Sequence, residues 1–212
     1  MPAHGRCPRL MLVTDARRSR LPLLELAAAT VAGGVDALYL RDVDLPASEL
    51  ADLVRRLRER AGAAVTIVVN DGPERAKCAG TGLHLRERDM ATTDARAALG
   101  ADAVIGRSVH TPEGAAAAIG ADYVLAGHVY PSASKPNLPP LGLDGLADIA
   151  AAAPGPVLAI GGITPERVAE VIRAGASGVA VIGALAEADE PRAAAAFLRA
   201  ALDDALLRKV KD

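Results

Sequence analysis

At 212 residues and a formal net charge of −2, the chain is long enough for one large domain or two small ones, and length alone does not decide between them. Half of it is hydrophobic but only 2% is aromatic, with no Trp, which argues against stacking platforms for single-stranded nucleic acid. No dense basic face marks a phosphate backbone as partner, so nucleic-acid binding is excluded.

Cys7 and Cys78 are far apart and lack CxxC spacing. They suggest neither a disulfide framework nor a zinc site and fit a reducing cytosol. The N-terminus has no apolar h-region and no apolar run approaches a membrane span, so a cytoplasmic protein without membrane contact is expected.

Eight short apolar runs follow in order: 10–13, 37–40, 65–69, 82–85, 103–105, 123–125, 157–160 and 179–182. They recur roughly every two to three dozen residues, the repeat of βα units. Between them the chain reads as helix. Leu23 to Val31 is Ala/Leu-rich, with Pro22 where a first helical turn tolerates it. Leu50, Leu53, Val54 and Leu57 form one face of a second helix, with Arg55, Arg56, Arg58 and Glu59 on the other. Thr164-Pro165-Glu166 offers an N-cap followed by Pro at the first helical position, and Gly175 a stop.

Continuously apolar strands imply a sheet covered on both faces. Eight βα units in one lean chain fit an α/β fold of the closed (β/α)8 TIM-barrel type, a single domain over 1–212 with tails at 1–8 and 205–212. In such a barrel the site lies at the C-terminal strand ends. The polar residues there are Thr14 and Asp15, Arg41 and Asp42, Asn70 and Asp71, then Arg86, Glu87 and Asp89. Arg107, Ser108 and His110 follow the fifth run, and His128 the sixth.

Two glycine turns, Gly161-Gly162 after the seventh run and Ile182-Gly183 after the eighth, mark a phosphate site, because glycines let backbone N–H groups approach an anion. His128 is the acid/base candidate, since an imidazole with pKa near ~6.5 can take and return a proton at neutral pH. His110 sits where a helix begins and is expected to cap and pack; His84, inside a strand, is expected to be structural. Lys135, with Ser132 and Ser134 as donors, forms a loop able to clamp phosphate. Arg41 offers a fork for an anion, and Asp71 with Asp89 offers oxygen ligands for magnesium.

These residues resemble the thiamin phosphate synthase / TenI superfamily of small barrels, from about Leu12 to Leu202. The likeness is carried by Val13-Thr14-Asp15, Leu40-Arg41-Asp42, Val69-Asn70-Asp71, Gly82-Leu83-His84-Leu85, Ile105-Gly106-Arg107-Ser108-Val109-His110, Gly120-Ala121-Asp122-Tyr123-Val124, Ala159-Ile160-Gly161-Gly162-Ile163 and Gly178-Val179-Ala180-Val181-Ile182. Synthases of this superfamily join a pyrimidine diphosphate to a thiazole phosphate with Mg²⁺ and release pyrophosphate. Their second-strand motif reads Gln-Leu-Arg-Glu/Asp-Lys, whereas this chain has Tyr39-Leu40-Arg41-Asp42-Val43. Arg86-Glu87 replaces their Gly-Gln, and Gly127-His128-Val129-Tyr130 their Gly-Pro and Phe/Trp-Pro-Thr loop.

The Gly-Arg-Ser-Val-His and Gly-His-Val pair resembles the TenI branch, the thiazole tautomerases. The expectation is therefore an isomerase that aromatises a thiazole carboxylate phosphate, with His128 shuttling the proton and no cofactor required. The alternative is the synthase. There the resemblance gives Asn70, Asp71 and Asp89 to magnesium, and Ser108, Ser132, Ser134 and Lys135 to pyrophosphate. A third reading is a non-catalytic regulator that binds phosphate ligands. The expected partner is a small phosphorylated thiazole, and self-association into a homo-oligomer is left open.

Overall fold

A computed structural model describes residues 7–41, 44–70, 72–132, 135 and 137–210. Its strands are β1 (Leu10–Val13), β2 (Ala37–Leu40), β3 (Thr66–Val69), β4 (Gly82–Leu85), β5 (Ile105–Val109), β6 (Tyr123–Gly127), β7 (Val157–Ile160) and β8 (Gly178–Val181). All pair in parallel in sequence order, and Leu12 closes the ring by pairing with Leu38 on one side and Val181 on the other. The expected (β/α)8 barrel is the fold.

The helices are α1 (Leu23–Ala32), α2 (Ala47–Ala61), α3 (Pro73–Ala79), α4 (Thr92–Leu99), α5 (Pro112–Ala116), α6 (Gly142–Ala152), α7 (Pro165–Arg173), α8 (Gly183–Ala186) and α9 (Pro191–Lys209). Each major helix buries an apolar stripe on the outer strand faces. On α2 the stripe is Leu50, Val54 and Leu57, each contributing on the order of 1.5–3 kcal/mol by leaving water. The opposite face carries the Arg55–Glu59 pair at 2.8 Å. Leu53 is only half-buried, at the edge of the stripe. Thr164 and Pro165 begin α7 as expected, although the Thr164 side chain makes no cap hydrogen bond. The last helix, α9, packs on α7 and α1 and runs on to Lys209 with Ala205 buried, past the point where a tail was expected.

Strand alternation splits the core in two. Outward residues join the helices in the larger cluster, while Met11, Val13, Tyr39, Val68, Tyr123, Leu125, Leu158 and Ala180 fill the barrel itself. The N-terminal rim is tied by carboxylates. Asp36 accepts from the N–H groups of Arg9 and Leu10 and pairs with Arg199 of α9 at 3.1 Å; Asp122 accepts from Ile105 N–H and Arg96 at 2.7 Å each. These contacts stabilise the closed end and leave the opposite rim to chemistry.

The fifth strand departs from expectation. It runs Ile105–Val109 rather than 103–105, so Gly106, Arg107 and Ser108 lie within it. Gly106 and Ser108 point into the barrel, and a side chain at 106 would reach within 2.5 Å of the Tyr123 ring edge. The interior there is taken by Tyr123, which is why an apolar residue is missing and the run looks broken in sequence.

Candidate active site

The C-terminal rim encloses a cavity of about 670 Å³. Its floor is apolar, from Val13, Tyr39, Leu125, Ile160 and Ala180. Its walls bring together His128, Arg41, Asn70, Ser108, Ser132, Lys135, Gly161, Gly162, Ile182 and Gly183. Asp89 is not among the lining residues, and Asp71 and Ser134 lie outside the described residues.

Consecutive strands β2 to β5 supply one polar sector. Arg41 follows β2, its Nη2 2.9 Å from the buried Asp15 carboxylate and its backbone N–H donating to Thr14 Oγ1 at 3.0 Å, so the loops after β1 and β2 aim the guanidinium jointly. Asn70 is buried after β3. Ser108 on β5 contacts His84 Nε2 at 2.8 Å. Arg86, after β4, also lines the cavity and pairs with Asp89 at 3.3 Å, while its backbone N–H donates to Asp89 Oδ2 at 2.7 Å. The expected magnesium ligand is thus engaged in closing its own turn. Arg107 points away from the cavity and holds the β4–α4 loop through the carbonyls of Met90 and Glu87, both at 2.8 Å.

The β6–α6 loop closes over this sector. Lys135 Nζ, which can only donate, lies 3.1 Å from His110 Nε2, so that nitrogen accepts. His110 Nδ1–H then donates to Glu87 at 2.8 Å. The expectation that His110 caps α5 is corrected, because Thr111 is the cap, accepting from Gly114 N–H at 3.1 Å. His110 is freed to hold Lys135 over the cavity. His128 is 7% exposed, with Nε2 3.2 Å from the Leu138 carbonyl. It fastens the far end of the same loop.

Strands β7, β8 and β1 supply a second sector. The glycine turns 161–162 and 182–183 line the cavity with Arg18, whose guanidinium carbon lies 3.2 Å from where a side chain at Gly183 would begin. Arg18 Nε donates to Glu187 at 2.6 Å. Arg167 donates to the Gly162 carbonyl at 2.7 Å and stacks on Tyr130 at 4.4 Å. Burial and a hydrogen bond to Glu170 push the Tyr130 hydroxyl up to about 12. Sequence reading missed Arg18 and Arg167. Nothing local separates Arg18 from Arg17 and Arg20; its position depends on Glu187, 169 residues away.

The cavity therefore joins two sectors rich in N–H donors and guanidinium groups over an apolar floor, the lining of a small-molecule site able to hold anions. The family model described as thiamine monophosphate synthase matches residues 10–185, and the chain belongs to that family. It is similar to the thiamine-phosphate synthase of Thermobifida fusca, 44% identical over 199 residues and 90% of each chain. That of Haloquadratum walsbyi is 41% identical over 202 residues, 92% of this chain and 91% of the other. The structure of thiamine phosphate pyrophosphorylase from Pyrococcus furiosus superposes with a TM-score of 0.82 at 31% identity, covering 93% of this chain and 96% of that one.

These relatives overturn the expected tautomerase. Relatives that share more than 40% of residues along nine-tenths of the chain are named as synthases. The isomerase assignment rested on Gly106-Arg107-Ser108-Val109-His110, on Gly127-His128-Val129 and on the glutamine and lysine missing at 39 and 43, a few positions set against the whole length. With it goes the proton-shuttling role of His128, whose ring the structure joins to the Leu138 carbonyl. Among the described residues, no helix is long and apolar enough to cross a membrane.

Proposed function

We propose that the protein is a thiamine-phosphate synthase, a cytoplasmic transferase acting on two phosphorylated small molecules. The carrying observation is the 41–44% identity to proteins of that name along nine-tenths of their length. In the reaction, the bond between the pyrimidine methylene carbon and the diphosphate oxygen breaks. The diphosphate leaves with the electron pair, and the thiazole nitrogen forms the new bond to carbon.

The site chemistry supports this division of labour. Arg41, Asn70, Ser108, Ser132, Ser134 and Lys135 are assigned to the diphosphate, where charge builds as the bond breaks and fixed donors act most strongly. Asp15 orients Arg41, and His110 positions Lys135. Gly161, Gly162, Ile182, Gly183 and Arg18 are assigned to the thiazole phosphate. His128 is assigned to holding the loop that carries Lys135, and the apolar floor to excluding water.

Magnesium takes one or two carboxylates and completes its shell with substrate phosphates, and Asp71, Asp89 and Asn70 are an oxygen-only donor set of that kind. No three acidic, His or Cys side chains cluster for a metal among the described residues, so the diphosphate would have to supply the remaining ligands. Bound there, the ion would neutralise charge on the leaving group.

The test is to mix the purified protein with the pyrimidine diphosphate, thiazole phosphate and magnesium, and to follow thiamine phosphate by its fluorescence after oxidation to thiochrome. Product at an enzymatic rate is expected. Its absence with both substrates present sinks the proposal.

A further inference from the structure

Behind Ser108 lies a hydrogen-bonded chain that none of the assignments above uses. Ser108 Oγ is 2.8 Å from His84 Nε2, and His84 Nδ1 is 3.0 Å from the Tyr123 hydroxyl. His84 and Tyr123 are both fully buried inside the barrel, and the Tyr39 ring packs on the imidazole at 4.4 Å. Burial lowers the His84 pKa to about 3, so the ring is neutral and one nitrogen alone carries hydrogen.

Tyr123 decides which one. Among the described residues its hydroxyl has His84 as hydrogen-bond partner and no other. Were Nδ1 the hydrogen-bearing atom, the fully buried Tyr123 O–H would face no acceptor among the described residues, and an orphaned buried donor is costly. With Tyr123 O–H donating to Nδ1, both groups are satisfied and Nε2–H donates to Ser108 Oγ. The serine's own hydrogen must then point elsewhere, and the cavity is where its hydroxyl is open.

We infer that the buried Tyr123–His84 pair is a positioning device that fixes Ser108 as a hydrogen-bond donor toward a diphosphate oxygen in the cavity. The identity of the ligand rests on the synthase reading; the tautomer does not. A serine free to rotate could offer an anion either a hydrogen or a lone pair. One whose lone pair is occupied from behind is set to donate. Gly106 is part of the device, because a side chain there would meet the Tyr123 ring and displace its hydroxyl.

Two measurements test this on the intact chain. Nitrogen-15 NMR of imidazole-labelled protein, with the His84 signals identified by their loss in His84→Gln, should show hydrogen on Nε2 and a bare Nδ1. The reverse overturns the proposal whatever the activity, and this reading needs no variant to bind ligand.

Calorimetric titration with inorganic pyrophosphate supplies the second. Ser108→Ala should weaken binding roughly tenfold to a hundredfold, the worth of a hydrogen bond to a charged group. Tyr123→Phe releases the tautomer and should weaken binding roughly tenfold. The double variant should be no weaker than Ser108→Ala alone, because both changes remove the same bond. Losses that multiply would mean Tyr123 acts through packing, and wild-type protein that ignores pyrophosphate would remove the role given to Ser108. Either result overturns the proposal. The expected tautomer and coupling without any thiamine phosphate formation would instead overturn the synthase reading and leave the device standing.

Discussion

Replacing Gly161 by alanine should destabilise the protein far more than the same change at Gly142. Both glycines have positive φ, +99° and +68°. At Gly142 a new methyl group meets nothing within 4 Å, so the cost is the conformational one of about 1–2 kcal/mol. At Gly161 the methyl would fall 2.7 Å from His128 Cα and 3.2 Å from Val129 N, and closer still to His128 Cβ. Those atoms are backbone and the root of a side chain, held by Val129 N–H and Tyr130 N–H donating to the Ile160 and Gly161 carbonyls at 2.9 and 3.1 Å.

They cannot swing aside, so an overpacking term of about 1–3 kcal/mol adds to the backbone term, making about 2–5 kcal/mol in all. In a domain of this size each kcal/mol lowers the melting temperature by about 2–4 °C. Gly161→Ala should therefore melt about 4–20 °C below wild type by circular dichroism, and Gly142→Ala only a few degrees below. Equal melting temperatures for the two variants would refute the view that Gly161 exists to let His128 and Val129, just after β6, pack directly against the turn after β7.

Two further outcomes follow from charges already described. His84 is held near 3 by burial, while in the unfolded chain an imidazole titrates near ~6.5. Below pH ~6.5 the unfolded state binds a proton that the folded state refuses, so stability falls as pH drops through that value, by up to about 1.4 kcal/mol per unit. Urea midpoints measured between pH 6.5 and 5 should decline accordingly and decline less steeply in His84→Gln; parallel slopes would contradict the assignment. Arg18→Ala should raise KM for thiazole phosphate roughly tenfold or more and leave kcat nearly unchanged, as for loss of a charge-assisted bond. An unaltered KM would place Arg18 outside the phosphate site.

The barrel was legible because its strands are apolar on both faces: Leu10–Val13, Ala37–Leu40, Gly82–Leu85 and Val157–Ile160 coincide with the runs read from sequence. Legibility failed where the interior turns polar. Ser108 interrupts the apolar pattern of β5 because its inward position faces the cavity, and Arg107 because its outward position holds a loop. The rim positions were found by knowing where strands end. Arg18, Arg167 and the partnership of His110 with Lys135 were not, since each depends on elements adjacent only after the ring closes. His128 misled for a related reason. A histidine after a strand looks the same in sequence whether its nitrogen faces a substrate or, as here, a carbonyl ten residues on.

The most direct test is a phosphorus-31 NMR time course of the protein with the pyrimidine diphosphate, the thiazole phosphate and magnesium. The account predicts loss of the diphosphate ester signals matched one for one by inorganic pyrophosphate and by thiamine phosphate, with no change when the thiazole phosphate is withheld. Inorganic phosphate from hydrolysis, or an unchanged spectrum with both substrates present, would contradict it.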